Sequence, residues 1–190
     1  MYIDSLILQN FRTFRKSEIT FVHPDQTFSG NGMRKPSLAN INLLLADNGL
    51  GKTTLLKAVA LAALGPAVSD SGIYPYKLIR REPVVAANDQ PDQAVIEAVF
   101  IPHEQDATYD VNRVESRVAV IRKGDLESLR WTHSDEKIWH PIFSSSSDAF
   151  FFVGYGATRR VEKRSQVDLG SRKSSAFVRA QRVQSLFEDA

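Results

Sequence analysis

Cysteine is absent from all 190 residues. This absence excludes a disulfide framework and any zinc or iron–sulfur site with cysteine ligands. Long apolar runs are also missing, because no stretch approaches the ~20 apolar residues that a membrane-spanning helix requires. The first residues lack the basic stretch and apolar core of a secretory signal, so we expect a soluble, cytoplasmic protein without a membrane partner. An excess of one charge is lacking too: 24 basic side chains balance 22 acidic ones, so a basic surface for nucleic acid would have to be local.

The residues that are present have the composition of a globular domain, 43% hydrophobic and 24% charged. Five stretches show the pattern of β-strands. They are residues 2–9, 17–22, 94–101, 116–123 and 127–132. The first two strands are joined by a tight connection typical of a hairpin. The last two are joined by a turn too short for a crossover helix, which predicts antiparallel pairing. Residues 66–92 contain four prolines and predict a long connection with at most one short helix.

Two apolar stretches flank a glycine-rich turn. Ile41–Leu45 is an unbroken apolar run, which predicts a buried central strand covered on both faces. Lys52–Leu64 is rich in leucine and alanine and contains neither proline nor glycine, so it predicts a helix that ends at Gly65-Pro66. This helix is apolar on almost every side, which indicates burial against a sheet. A further apolar strand is predicted at 149–153, and helical spacing returns over 177–188.

The turn between the predicted strand and helix has the pattern of a phosphate-binding loop. Ala46–Thr53 fits G-x-x-x-x-G-K-[ST], with Ala46 in place of the first glycine. That alanine is tolerable if its position does not need a positive φ. The alternative is a glycine-rich turn that carries a lysine by chance, and the flanking strand and helix argue against it.

The chemistry of such a loop explains its residue types. Glycines allow backbone N–H groups to approach phosphate oxygens, and the following helix presents its positive end to the same anion. Lys52 is the predicted catalytic charge on the β- and γ-phosphates, and the Thr53 hydroxyl is the predicted ligand of Mg²⁺. We therefore expect ATP with Mg²⁺ as the ligand. The residues expected to contact the nucleotide here are Asp47, Asn48, Gly49, Leu50, Gly51, Lys52, Thr53 and Thr54.

Three stretches carry a resemblance to the SMC and RecF-like ATPases. Leu6–Phe14 resembles their opening NFR-x-F, and Asn48–Thr54 matches their NGxGKT form of the P-loop. Tyr155–Arg159 resembles a Tyr-Gly-x-x-Arg stretch in bacterial AAA-type ATPases of this branch. The order of predicted elements also matches. The resemblance is strong over residues 1–65 and weaker beyond.

The resemblance implies an ABC-type head. Its fold would be an α/β P-loop NTPase, with a mixed sheet around the P-loop helix and an antiparallel β-subdomain at about 94–133. ATP would be sandwiched between two heads, so the implied partner is a second ATPase head in a homodimer or higher oligomer. The resemblance also implies that Arg12 reaches the bound phosphates, whereas a solvated turn arginine is the alternative from the residues alone.

Other family elements are missing from the sequence. No apolar strand ends in the Asp-Glu pair of a Walker B motif, since Gly154-Tyr155 follows 149–153, and no Leu-Ser-x-Gly-Gly signature is present. A glutamine that senses the γ-phosphate cannot be assigned, because Tyr155–Arg159 has none and Gln166 lies further along. We therefore expect residues 1–190 to form the N-terminal lobe of a head whose remaining elements lie in a C-terminal part. A protein that binds nucleotide without hydrolysing it is the alternative.

Two functions fit these features. The first is an ATPase that acts on DNA in repair, chromosome maintenance or phage defence. The second is a module that binds ATP to assemble with an effector protein such as a nuclease, without turnover of its own. The basic segment at about 156–175 either contacts DNA phosphates or is a solvated mobile loop. The four histidines have no metal-binding spacing and are expected at surface or turn positions.

Overall fold

A computed structural model of the chain describes residues 1–26, 36–82, 89–103, 111–132, 137–139, 153–154 and 179–187. These residues form a five-stranded sheet with the helix α1, Lys52–Leu64, packed against one face. A short 3₁₀ helix, Gly65–Val68, continues from α1, and another spans Gln184–Leu186. The strands are β1 Tyr2–Phe11, β2 Phe14–Thr20, β3 Gln93–Ile101, β4 Val114–Lys123 and β5 Leu126–Trp131.

The sheet has the order β2-β1-β3-β4-β5, and all four pairings are antiparallel. The five predicted strands are confirmed, and β3–β5 continue the sheet that β1 and β2 begin. In register, Leu6 lies opposite Ala98 and Leu8 lies opposite Ile96, so that their side chains share the face covered by α1. The α/β fold is confirmed, although no parallel pairing occurs among the described residues.

Helix α1 has the bounds that the sequence predicts, because leucine and alanine favour the helical backbone and glycine follows at its end. Ala58, Leu61 and Leu64 are fully buried against the sheet, and each buried leucine contributes about 1.5–3 kcal/mol. Gly65 ends the helix with a φ of 52°, and a Cβ there would lie 2.6 Å from the Trp139 ring. Both the backbone conformation and the close ring therefore require glycine at this position.

The predicted buried strand at Ile41–Leu45 is wrong within this structure. The segment has no strand pairing, and Ile41, Leu43 and Leu45 are 59%, 77% and 83% exposed. A strand forms only where its backbone groups find partners, and β1 already pairs with β2 and β3 on its two sides. The Asn42 side chain attaches this segment to the end of the β2 region, since it hydrogen-bonds both the N–H and the carbonyl of Val22 at 2.8 Å.

Of the expected surface or turn positions, His23 has the turn and not the surface: its carbonyl accepts the Gln26 N–H at 3.1 Å, and the residue is 4% exposed. Its Nε2 lies 3.2 Å from Asp4 Oδ1, and its ring stacks on Tyr2. The sequence around it gave no periodic signal, because the partners are far apart in the chain.

Near the C-terminus, Val183 and Leu186 are buried, but the helix expected over 177–188 is interrupted by a turn at 182–183 before the 3₁₀ helix. Their side chains lie against Gly154, whose N–H donates to the Arg182 carbonyl at 3.1 Å. Most of the predicted strand at 149–153 and all of the basic segment at 156–175 lie outside the described residues. Within the described part of the chain, α1 and the shorter helices fall short of the length and hydropathy needed to cross a membrane.

Candidate functional site

The loop at Ala46–Thr53 has the backbone of a phosphate cradle. Gly49 and Gly51 adopt φ values of 87° and 94°, in a region that residues with a Cβ rarely occupy. Ala46 is not among the residues with positive φ, so the expected condition for its tolerance is met. A Cβ at Gly49 would have no atom within 4 Å. The space beside Gly49 is therefore open.

The Lys52 side chain folds back over the loop. Its Nζ donates to the carbonyl of Ala46 at 2.6 Å and to the carbonyl of Asp47 at 2.8 Å. An ammonium group has three N–H donors, so a third remains for an anion. These two hydrogen bonds fix the position of the Lys52 ammonium group beside the loop.

The N-terminus of α1 opens onto the same place. Gly51 is the N-cap residue, no side chain caps the helix, and the first turn contains no acidic residue. The first-turn N–H groups are therefore not occupied by a side chain of the protein, and they suit an anion. Thr53, the predicted Mg²⁺ ligand, is exposed in this turn. Thr54, by contrast, is 6% exposed.

The turn between β1 and β2 packs directly on the P-loop. A Cβ at Gly51 would lie 2.6 Å from Thr13 Oγ1 and 3.1 Å from the Phe14 ring. Arg12 precedes Thr13, is partly buried, and has a left-handed φ of 47°. The structure thus brings the two motifs of the resemblance together, because Arg12 directly precedes Thr13, which packs against the loop at Gly51.

A second segment, which sequence reasoning did not single out, supports this turn. The Arg12 N–H donates to the Leu78 carbonyl at 2.8 Å, and the Arg80 N–H donates to the Asn10 carbonyl at 2.7 Å. The Arg80 guanidinium also donates to the Thr13 carbonyl at 2.8 Å. Ile79 pairs with Phe11 in an isolated antiparallel bridge. The one signal available was the apolar pair Leu78-Ile79 inside an otherwise polar and proline-containing connection.

Glu127 fixes the other side of that segment. Its carboxylate is 8% exposed and accepts hydrogen bonds from the backbone N–H groups of Leu78 at 2.7 Å and Ile79 at 3.4 Å. A buried carboxylate is stable when its oxygens receive such donors. Strand β5 is thereby connected through this segment to the Arg12 turn and the P-loop.

The residues at this site fit ATP and Mg²⁺. Uncapped first-turn N–H groups, a held ammonium group and an exposed hydroxyl are the donor set for a triphosphate and its cation. The site is also open: residues 45–50 are all exposed, with Leu45 at 83% and Leu50 at 62%. Tyr155–Arg159 and Gln166 lie outside the described residues.

Comparisons with known proteins extend this description. A family model described as an AAA domain matches residues 5–183. A solved structure described as "Structural biochemistry of ATP-driven dimerization and DNA stimulated activation of SMC ATPases" is similar to 74% of this chain and 78% of that chain, at 18% identity and a TM-score of 0.45. No curated protein matches the chain.

Proposed function

The chain belongs to the AAA domain family and is an ATP-binding P-loop ATPase, and from this premise we propose that it hydrolyses ATP with Mg²⁺ as one part of a composite site. The observation that carries the proposal is the geometry of Lys52. Its ammonium group is held 2.6 Å and 2.8 Å from two loop carbonyls, beside the uncapped start of α1. Positive charge and N–H donors therefore converge where a triphosphate would lie.

Phosphoryl transfer requires little covalent chemistry from the protein, which mainly positions the phosphates and stabilises their charge. Lys52 would orient the β- and γ-phosphates and stabilise charge that develops on them, and N–H groups of residues 48–54 would hold their oxygens. Thr53 would ligate Mg²⁺, which when bound supplies further neutralisation of the same two phosphates. Arg12 would add a second positive charge from the β1–β2 turn, which the Gly51–Thr13 contact keeps beside the loop.

The openness of the loop supports a composite site. Hydrolysis requires an ordered attacking water and exclusion of the remaining solvent, which a loop exposed along residues 45–50 does not provide alone. The sequence also lacks a Walker B pair and a signature motif. We propose that these elements come from another part of the full-length protein and from a second head, which ATP draws together.

Such a site is compatible with two biological roles, which differ in whether the bound ATP is hydrolysed. An ATPase that couples head closure to DNA in repair, maintenance or antiviral defence would turn over ATP. A module that assembles with an effector would hold ATP without turnover. In either role the γ-phosphate changes the affinity between two surfaces, as a nucleotide switch requires.

Turnover separates the two roles. Phosphate release by the full-length protein should be measured with Mg²⁺, with and without duplex DNA, and with the Lys52→Ala variant. We expect release that DNA increases and that Lys52→Ala abolishes. Lys123→Ala, which removes an exposed lysine at the end of β4, is the matched control and should retain full activity. Tight ATP binding with no release would support the effector role, and release that persists in Lys52→Ala would contradict both.

A further inference from the structure

Two tyrosines are exposed on a well-supported segment after α1. Tyr74 and Tyr76 are 66% and 53% exposed, whereas Pro75 between them is buried. We define the aromatic–basic segment as residues 74–81. Its Leu78 and Ile79 are each 1% exposed and belong to the hydrophobic core. The rings are thus presented to solvent by a backbone that the core anchors.

The hydrogen bonds already described hold this segment beside the β1–β2 turn. The Arg12 N–H donates to the Leu78 carbonyl, and the Arg80 N–H donates to the Asn10 carbonyl, as in a short antiparallel pairing. Lys77 adopts a left-handed φ of 50°, and its Nζ lies 4.7 Å from the centre of the Tyr76 ring. An ammonium group and an aromatic face therefore sit together at the surface.

The charge on these two segments is one-sided. Residues 12–16 and 74–81 together carry six basic side chains and no carboxylate, in a chain whose charges are nearly balanced overall. They are Arg12, Arg15, Lys16, Lys77, Arg80 and Arg81. Glu82 follows directly, and its carboxylate is 3.3 Å from Arg80 Nε, so it compensates that one arginine. Lys77 and Arg81 are exposed; Lys77 directly precedes the buried Leu78–Ile79 pair, and Arg81 lies two residues after it.

We propose that the aromatic–basic segment binds single-stranded nucleic acid. Unpaired bases stack on the exposed ring of Tyr74 and on the face of the Tyr76 ring that Lys77 does not cover, and Lys77 and Arg81 contact the phosphates of the same strand. Exposed aromatic rings beside basic side chains are the combination by which proteins hold single strands without reading their sequence. A duplex offers phosphates to the same charges but keeps its bases stacked internally, so it cannot use the two rings. The inference goes beyond the proposed ATPase function and does not depend on Lys52.

The test is fluorescence anisotropy of a labelled oligothymidine titrated with the full-length protein. We expect Tyr74→Ala and Tyr76→Ala each to weaken binding at least about fivefold, since one base stack is lost. Tyr76→Phe keeps the ring and should bind as the unaltered protein does. Lys77→Ala should weaken binding and lower the slope of log Kd against log salt by about 0.7. The control Arg130→Ala removes an exposed basic residue on β5 and should change affinity much less.

The outcomes distinguish nucleic-acid binding by the aromatic–basic segment from the proposed ATP hydrolysis. Binding of the oligothymidine by Lys52→Ala, with the same loss on Tyr76→Ala, supports the surface even if ATP is never hydrolysed. Equal affinity for a duplex of the same length, or affinity unchanged by both tyrosine substitutions, overturns it. The tyrosines are exposed, so their removal should leave the thermal unfolding midpoint unchanged, and this measurement verifies that each variant is folded.

Discussion

At the scale of single residues, the site depends on two backbone conformations and one ammonium group. Two features require glycine at position 51. Its φ of 94° disfavours any residue with a Cβ, and Thr13 Oγ1 lies 2.6 Å from where that Cβ would be. Gly49 has a similar φ of 87° but faces open space. The two glycines therefore differ in packing while sharing the same backbone requirement, and this difference can be measured.

Gly51→Ala should lower the free energy of unfolding by at least about 1 kcal/mol more than Gly49→Ala does, since it adds displacement of the β1–β2 turn to the left-handed strain. It should also weaken ATP binding, because Arg12 moves with that turn. Gly49→Ala, as the control, has the strain without the collision and should cost about 1–2 kcal/mol. Chemical denaturation of the two variants measures the difference. Equal destabilisation would show that the turn does not rest on the loop.

At the scale of elements, the segment around Leu78 connects parts that are distant in sequence. The Glu127 carboxylate on β5 accepts a hydrogen bond from the Leu78 N–H. The Leu78 carbonyl in turn accepts one from the Arg12 N–H. The P-loop is thus supported by β5 through one short extended segment and one turn. No local pattern reveals this connection, because Leu78 is 49 residues from Glu127 and 66 residues from Arg12 in the sequence.

Glu127→Ala should leave the N–H groups of Leu78 and Ile79 without partners and lower the free energy of unfolding by about 1–3 kcal/mol. Amide hydrogen exchange should quicken at residues 78–80 and at Arg12. Glu127→Gln keeps one acceptor oxygen and should lose less. If exchange at Arg12 stays unchanged in Glu127→Ala, the segment does not transmit support to the turn.

Sequence reasoning predicts well wherever a pattern is local. Helix α1 has its predicted bounds, because composition and a terminal glycine determine them, and the five strands follow from alternation. The prediction at Ile41–Leu45 failed because an apolar run specifies a preference for burial but not the strands that would cover it. The burial of His23 was not predicted for a related reason, since it rests on contacts with Tyr2 and Asp4 in β1. The position of Arg12 beside the P-loop was available only through the family resemblance.

At the scale of the whole molecule, the exposed side of the P-loop and the exposed apolar segment adjoin each other. Leu43, Leu45 and Leu50 are all more than half exposed, whereas Leu6 and Leu8 of β1 and Leu61 and Leu64 of α1 are fully buried. Exposed apolar surface of this kind marks a contact region. We propose that the partner which completes the composite site covers this apolar surface.

Substituting both Leu43 and Leu45 by serine should change the free energy of unfolding of the 190-residue chain by no more than about 0.5 kcal/mol, since both side chains are exposed. It should also reduce the fluorescence of a dye that binds apolar surface. Leu61→Ala is the contrasting control, expected to cost about 2–5 kcal/mol because that side chain is fully buried. A large loss of stability in the serine variant would mean that residues 41–45 are covered in solution.

The most direct test of the central claim is calorimetric titration of the full-length protein with ATP and Mg²⁺, alongside Lys52→Ala and the control Lys123→Ala. We predict that Lys52→Ala weakens ATP binding about tenfold or more, because a charge-assisted contact to phosphate is lost, while Lys123→Ala binds as the unaltered protein does. Equal affinity of Lys52→Ala and the unaltered protein for ATP would contradict the account.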